Sequence, residues 1–174
     1  METPILRTER LELRPPRVDD LPGMIRLVAS EDVNRFLGGG AAASAHRQAD
    51  RLLRNAGSWS LYGYGMFMVR LIGEPAIIGT CGVFHSWRGF GKGLDDTPEA
   101  GWIIHQDHWG KGLAQEAIRA CLDWFDQTHG PRRIACMIEQ GNAGSVRVAQ
   151  AFGFLCYDKS IFDGATVELF ERLR

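Results

Sequence analysis

Residues 99–118 read EAGWIIHQDHWGKGLAQEAI, and three patterns follow one another within them. Glu99 to His105 reads as a strand. Trp109-Gly110-Lys111-Gly112 is a glycine turn. After it Leu113, Ala114, Ala117, Ile118, Cys121, Trp124 and Phe125 recur at helical spacing, with Gln115, Glu116, Arg119, Asp123 and Asp126 on the opposite face. Glycine lets a backbone approach a ligand and turn its N–H groups inward. The helix start adds unpaired N–H donors and a positive dipole end. Together they make a site for an anion such as a pyrophosphate, with Lys111 as a further charge. A bare strand-to-helix connection uses the same residues, and at this level the two readings weigh equally.

The loop Gly89-Phe90-Gly91-Lys92-Gly93 is a useful control. It is as rich in glycine, but Asp95, Asp96 and Pro98 follow it, adding negative charge and no helix. It makes a poor phosphate cradle and suits a mobile loop beside a substrate entrance.

Upstream, Leu11–Arg14 alternates as a half-buried strand and Pro15-Pro16 ends it. Asp19 or Asp20 caps a helix through Leu21, Met24, Ile25, Leu27 and Val28. Gly38-Gly39-Gly40 breaks the chain before a more polar helix around Ala45–Arg54. Strands are predicted at Tyr64–Leu71 and Ala76–Phe84, around a turn at Gly73-Glu74-Pro75. Downstream, Gly130-Pro131 stops the long helix, Arg133–Glu139 is a strand, and Ser145–Phe152 is a short helix with Gly153 as its C-terminal cap. Phe154–Lys159 and Val167–Leu173 close the chain as strands around Asp163-Gly164. Several strands in succession point to a mixed α/β sheet with helices on its faces.

The 174 residues fit one domain, spanning 1–174. With 20 Lys and Arg against 21 Asp and Glu, no general attraction to nucleic acid or an anionic membrane is expected. No apolar run approaches the roughly 20 residues that span a bilayer, and the N-terminus is charged where a signal peptide is apolar. Cys81, Cys121, Cys136 and Cys156 are widely spaced, so neither a metal site nor a disulfide is expected and a cytoplasmic location is.

Asp107-His108-Trp109-Gly110-Lys111-Gly112 resembles motif A of the GNAT acetyltransferases, Q/R-x-x-G-x-G/A, with Asp107 replacing the usual Gln or Arg. More of the chain resembles the ribosomal-protein N-acetyltransferase (RimJ/RimL-like) branch: Thr8-Glu9-Arg10-Leu11-Glu12-Leu13-Arg14, Ile78-Gly79-Thr80-Cys81-Gly82, Glu99-Ala100-Gly101-Trp102, and Asn142-x-x-Ser145-x-Arg147-Val148 running to Gly153-Phe154. Each match alone is weak; in order over nearly the whole chain they are specific.

The resemblance implies the GNAT (acyl-CoA N-acyltransferase) fold, a mixed central β-sheet flanked by helices. It implies acetyl transfer from acetyl-CoA to a primary amine, by direct attack in a ternary complex and without a metal. CoA would lie in a splay between two parallel strands, its pantetheine arm along Trp102, Ile103, Ile104 and His105. Its pyrophosphate would sit on Trp109, Gly110, Lys111, Gly112, Leu113 and Ala114, with Asn142 and Ser145 also touching it. A backbone N–H near Ile103 or Ile104 would stabilise the oxyanion. The resemblance allows a homodimer, although no feature of the sequence specifies one.

Glu99 is the first choice for the base, since Glu99, Gly101, Ile103 and His105 share one strand face. A solvated or salt-bridged carboxylate at a strand end is an equal alternative. His105 and His108 are reserves, better read as packing or surface histidines. Many relatives place a tyrosine where this chain has Ala149, which cannot donate a proton. Ser145, one helical turn earlier, is then the candidate donor to the leaving thiolate, set against a plain place in the first turn of a helix capped by Asn142. Trp59, Tyr62, Tyr64 and Phe67 read as core more readily than as an acceptor pocket.

The acceptor is a protein N-terminus or a small-molecule amine, with the resemblance leaning toward the first. A noncatalytic acyl-CoA-binding module of the same fold is the alternative. A nucleotide-binding protein is disfavoured, because neither G-x-x-x-x-G-K-[S/T] nor the dinucleotide fingerprint is present.

Overall fold

The computed structural model describes residues 4–37 and 44–173. Along the chain come β1 (Leu6–Arg7), β2 (Leu11–Arg14), a 3-10 turn (Val18–Asp20), α1 (Leu21–Leu27), α2 (Glu31–Asn34), α3 (Ala45–Tyr62), β3 (Met66–Leu71), β4 (Ile77–Ser86) and β5 (Thr97–Ile104). A 3-10 turn (Gln106–His108), α4 (Leu113–His129), β6 (Ile134–Glu139), α5 (Ala143–Ala151), β7 (Leu155–Phe162) and β8 (Ala165–Arg172) follow. The strands form one sheet in the order β1-β2-β3-β4-β5-β6-β8-β7. Neighbours run antiparallel except β5 and β6, which are parallel. This is the expected mixed sheet flanked by helices.

Side-chain alternation divides the sheet into two packed faces. Leu11, Leu13, Phe67, Val69, Cys81, Val83 and Ala100 meet Leu113, Ala117, Ile118, Cys121, Leu122 and Phe125 of α4 in the main core. On the opposite face Met68 packs with Met24 of α1 and Leu52 of α3, while Ile103 meets Leu27, Val28 and Val33.

Helix α3 runs well past the predicted end at Arg54. The Ser44 hydroxyl accepts the Arg47 N–H at its start, and Gly63 ends it at φ +75°. Its last turns carry buried polar residues that meet backbone instead of water. Asn55 exchanges hydrogen bonds of 2.9 and 2.7 Å with the Met66 carbonyl and N–H, and the Ser58 hydroxyl donates to the Tyr64 carbonyl at 2.7 Å. Trp59, Tyr64 and Phe67 join the main core, whereas Tyr62 stacks on His85. The short elements β1 and α2 were not anticipated. The predicted break at Gly38-Gly39-Gly40 lies outside the described residues.

Asp20 precedes α1, but its carboxylate does not cap that helix. It takes two hydrogen bonds from Arg14 and one from the Arg17 N–H, tying the α1 entry to β2. The segment between β4 and β5, expected to be mobile, is internally bonded. Asp95 accepts the N–H groups of Arg88, Gly89 and Gly91, and Leu94 is buried among Ala135, Val167 and Leu169.

Candidate active site

Strands β5 and β6 share a single rung, Glu99 opposite Ala135. Beyond it they part: Ala100–Ile104 pairs only with β4, and Cys136–Glu139 only with β8. The gap widens toward the carboxyl ends of two parallel strands, the customary ligand position in an open α/β sheet. The His105 N–H donates to the Ile78 carbonyl on the β4 side. Ladder hydrogen bonds alternate in direction along a strand, so the N–H groups of Trp102 and Ile104 face the gap, and that of Ile103 faces β4. Of Ile103 and Ile104, only Ile104 turns its N–H toward the gap.

Both strands lead at the same end into helices. After β5 the chain makes the 3-10 turn with His105 as its N-cap, then Trp109, whose indole N–H donates to the Ile104 carbonyl at 2.6 Å. Gly110 and Gly112 follow at φ +71° and +75°, conformations open to glycine and strained for other residues. Gly112 is the N-cap of α4 with no side chain to offer, so the first N–H groups of a 17-residue helix are left for a ligand. The Lys111 ammonium bonds the Asp107 carbonyl at 2.7 Å and so braces the turn itself. Burial lowers the pKa of His108, and the charge of Lys111 lowers it further. A residue far upstream completes the turn. Arg10 donates to the Lys111 carbonyl at 2.9 Å and, through Nε, to Glu116 of α4 at 2.7 Å.

Glu99 is 3 % exposed, and its carboxylate meets the Arg88 guanidinium in a two-pronged ion pair. Arg88 also lies over the rings of Phe84 and Phe162 at 5.9 and 5.5 Å. Phe84 stands opposite Glu99 and Gly82 opposite Gly101, on the sheet face covered by α1–α3. The rim of this face carries Ser30, whose hydroxyl bonds the Gln106 side chain.

At the end of β6, Asn142 caps α5 by accepting the Ser145 N–H at 3.1 Å. The Ser145 side chain is half-buried, and its hydroxyl makes no hydrogen bond among the described residues. Ala149, at the tyrosine position, is fully buried in the main core. Its carbonyl accepts the Phe154 N–H in a Schellman closure around Gly153.

The structure thus brings the strand Trp102–His105, the turn Trp109–Ala114 and the Asn142–Ser145 helix start to one end of one gap, with Glu99 at its closed end. His105 and His108 stand in the 3-10 turn. Sequence reasoning missed the roles of Arg88 and Arg10, whose partners Glu99 and Glu116 lie 11 and 106 residues along the chain, beyond the reach of any local pattern. No group of three or more His, Cys, Asp or Glu among the described residues converges on a metal position.

A family model described as an acetyltransferase (GNAT) domain matches residues 10–155. Protein YkkB of Bacillus subtilis is 43% identical over 63 residues, a stretch covering only 36% of each chain. An acetyltransferase structure from Bordetella pertussis, assigned to the GNAT family, superposes with a TM-score of 0.86 at 31% identity, covering 97% of this chain and 99% of that one. RimL, a ribosomal L7/L12 alpha-N-protein acetyltransferase, superposes with a TM-score of 0.77 over 100% of this chain and 96% of its own. At 15% identity that likeness establishes the fold alone.

Proposed function

This chain belongs to the GNAT acetyltransferase family, and from that premise we propose that it moves the acetyl group of acetyl-CoA to a primary amine by direct attack in a ternary complex. The observation that carries the reading is the gap between β5 and β6, which opens onto the glycine turn and free helix start at Gly110–Leu113. A pantetheine arm fits the open edge of β5 from Trp102 to His105. The pyrophosphate fits the N–H groups from Trp109 to Ala114, with Asn142 and Ser145 on the second wall. Acetyl-CoA supplies a thioester there; the chain's own groups position the amine, take its proton and steady the developing charges.

The Ile104 N–H is aimed into the gap as the oxyanion donor. Glu99 acts as base through a water, its orientation held by Arg88. Ser145, with an uncommitted hydroxyl, protonates the leaving thiolate. Within the amines, a protein N-terminus is the acceptor that the resemblance to the ribosomal-protein branch favours, in the cytoplasm, where four unpaired cysteines are at home. No helix among the described residues is long and apolar enough to cross a membrane.

Thiol release from acetyl-CoA, measured against amines and N-terminal peptides, tests the proposal. Acceptor-dependent release is the expected result. Tight CoA binding with silence toward every acceptor would instead favour the noncatalytic module, and absence of CoA binding would remove the reading altogether.

A further inference from the structure

Arg51 lies on α3 beside Leu52, which packs on Met24 and Met68, and one turn before Asn55, which is bonded to Met66. These contacts seat the helix on the α1–α3 face of the sheet. Strand register places Met66, Phe84, Glu99 and Gly101 on that same face. Gly101 is bare backbone there with Phe84 and Met66 packed beside it: a β-carbon at its position would stand 3.4 Å from the Phe84 ring and 3.6 Å from the Met66 methyl. Arg88 closes one side over Phe84, with its charge matched by Glu99. Arg51 is half-buried and near enough to Arg88 to feel its charge. Among the described residues it has no carboxylate and no hydrogen-bond partner. Burial, then the like charges of Arg54 and Arg88, push its pKa down to about 10, which leaves it a cation at neutral pH.

Arg51 and Arg88 therefore bring two positive charges to this face, and of the two only Arg88 meets a carboxylate, Glu99, among the described residues. A half-buried cation with no carboxylate among its described neighbours costs stability. A ligand that brings the counter-charge removes that cost, and a guanidinium is shaped to receive a carboxylate with two parallel hydrogen bonds. The same cluster repels a polyamine.

We propose that Arg51 is an acceptor-binding residue, and that the amine substrate carries a carboxylate on the same molecule, which Arg51 holds while the amine faces the Glu99–Ile104 stretch of β5. The carboxylate belongs either to a free amino acid or to an acidic peptide near its N-terminus. The proposal rests on the acetyl-transfer reading above.

The test compares matched acceptors: β-alanine with β-alaninamide, a tripeptide acidic at its second residue with its neutral amide counterpart, and spermidine. Each is assayed with the wild-type protein and with Arg51→Gln and Arg51→Lys. In the wild type kcat/KM should favour a carboxylate-bearing acceptor over its amide by about tenfold to a hundredfold. Arg51→Gln should abolish that preference with acetyl-CoA affinity unchanged, and Arg51→Lys should keep part of it. The amino acid and peptide arms tell the two sources apart. A wild type indifferent to the carboxylate, or an Arg51→Gln variant that keeps the preference, overturns the proposal and leaves acetyl transfer standing. Silence toward every acceptor would count against acetyl transfer instead. Calorimetric binding of the same carboxylates to the acetyl-CoA-loaded protein then decides Arg51: binding lost in Arg51→Gln supports it, and equal binding or none sinks it.

Discussion

Arg88 meets Glu99 with Nη2 2.7 Å from Oε1 and Nε 3.2 Å from Oε2, at the one rung where β5 and β6 are still paired. The pair sits where the sheet begins to split, so it orients the carboxylate and also braces the closed end of the gap. Those two roles separate under mutation.

Glu99→Gln keeps the shape and one acceptor oxygen for Arg88, its amide nitrogen being a donor, and cannot take a proton. Turnover should fall about 10²- to 10⁴-fold, and acetyl-CoA affinity should hold. Equal turnover in a folded variant at all pH would leave Glu99 as a brace for Arg88 and nothing more. Arg88→Met strands a buried carboxylate and should destabilise the fold by about 3–5 kcal/mol, read by urea denaturation.

Gly112→Ala tests the turn. Gly112 holds φ +75° with only the tip of Arg10 within reach, 3.7 Å from a β-carbon placed there. The penalty is therefore conformational, about 1–2 kcal/mol for a left-handed alanine. The helix start must tilt to relieve it, so acetyl-CoA affinity by calorimetry should drop about tenfold for each 1.4 kcal/mol lost. An unchanged affinity would place the pyrophosphate elsewhere.

Legibility in the sequence followed the range of the forces. The glycine turn and the Asn142 cap could be read because a positive φ or an orphan N–H restricts the residue within a few positions of itself. The α3 extension could not, since Asn55 and Ser58 look like surface residues until Tyr64 and Met66 supply their backbone partners. Asp20 could be read as a cap but is claimed by Arg14 across the Pro15-Pro16 bend. The pairing of Arg10 with Glu116 joins residues 106 apart, which no periodicity reports. A one-turn helix such as α2 and a two-residue strand such as β1 are too short to show a period at all.

Ser145→Ala separates the proton donor from the helix start. Asn142 bonds the Ser145 backbone N–H, not its hydroxyl, so the cap survives and the melting temperature should stay put. A donor role predicts a drop in kcat of about 10²-fold or more, smaller with a thioester whose thiol leaves more readily. Asn142→Ala behaves in the opposite sense, costing about 1 kcal/mol of stability through the lost cap. A full rate in Ser145→Ala removes the donor assignment.

Glu116 gives the fold a pH dependence of definite sign. Its carboxylate accepts from the Thr8 hydroxyl at 2.5 Å, the Arg10 N–H at 3.0 Å and Arg10 Nε at 2.7 Å. Burial pushes its pKa up, but the hydrogen bonds of Thr8 and Arg10 outweigh it and leave the group below its ordinary 4.5. A carboxyl that ionises more readily folded than unfolded adds stability above the unfolded pKa and loses it as pH falls through the folded one. Glu12 and Asp20 shift in the same direction, each held down by arginines against its own burial. Stability should therefore decline as pH drops below about 4.5. Glu116→Gln should be less stable than wild type by about 1–3 kcal/mol at pH 7, with the difference shrinking toward pH 3 as the wild-type carboxyl takes up its proton. Urea denaturation at both pH values measures it. A difference that stays constant across the range would mean that the Glu116 contacts act through shape and not through charge.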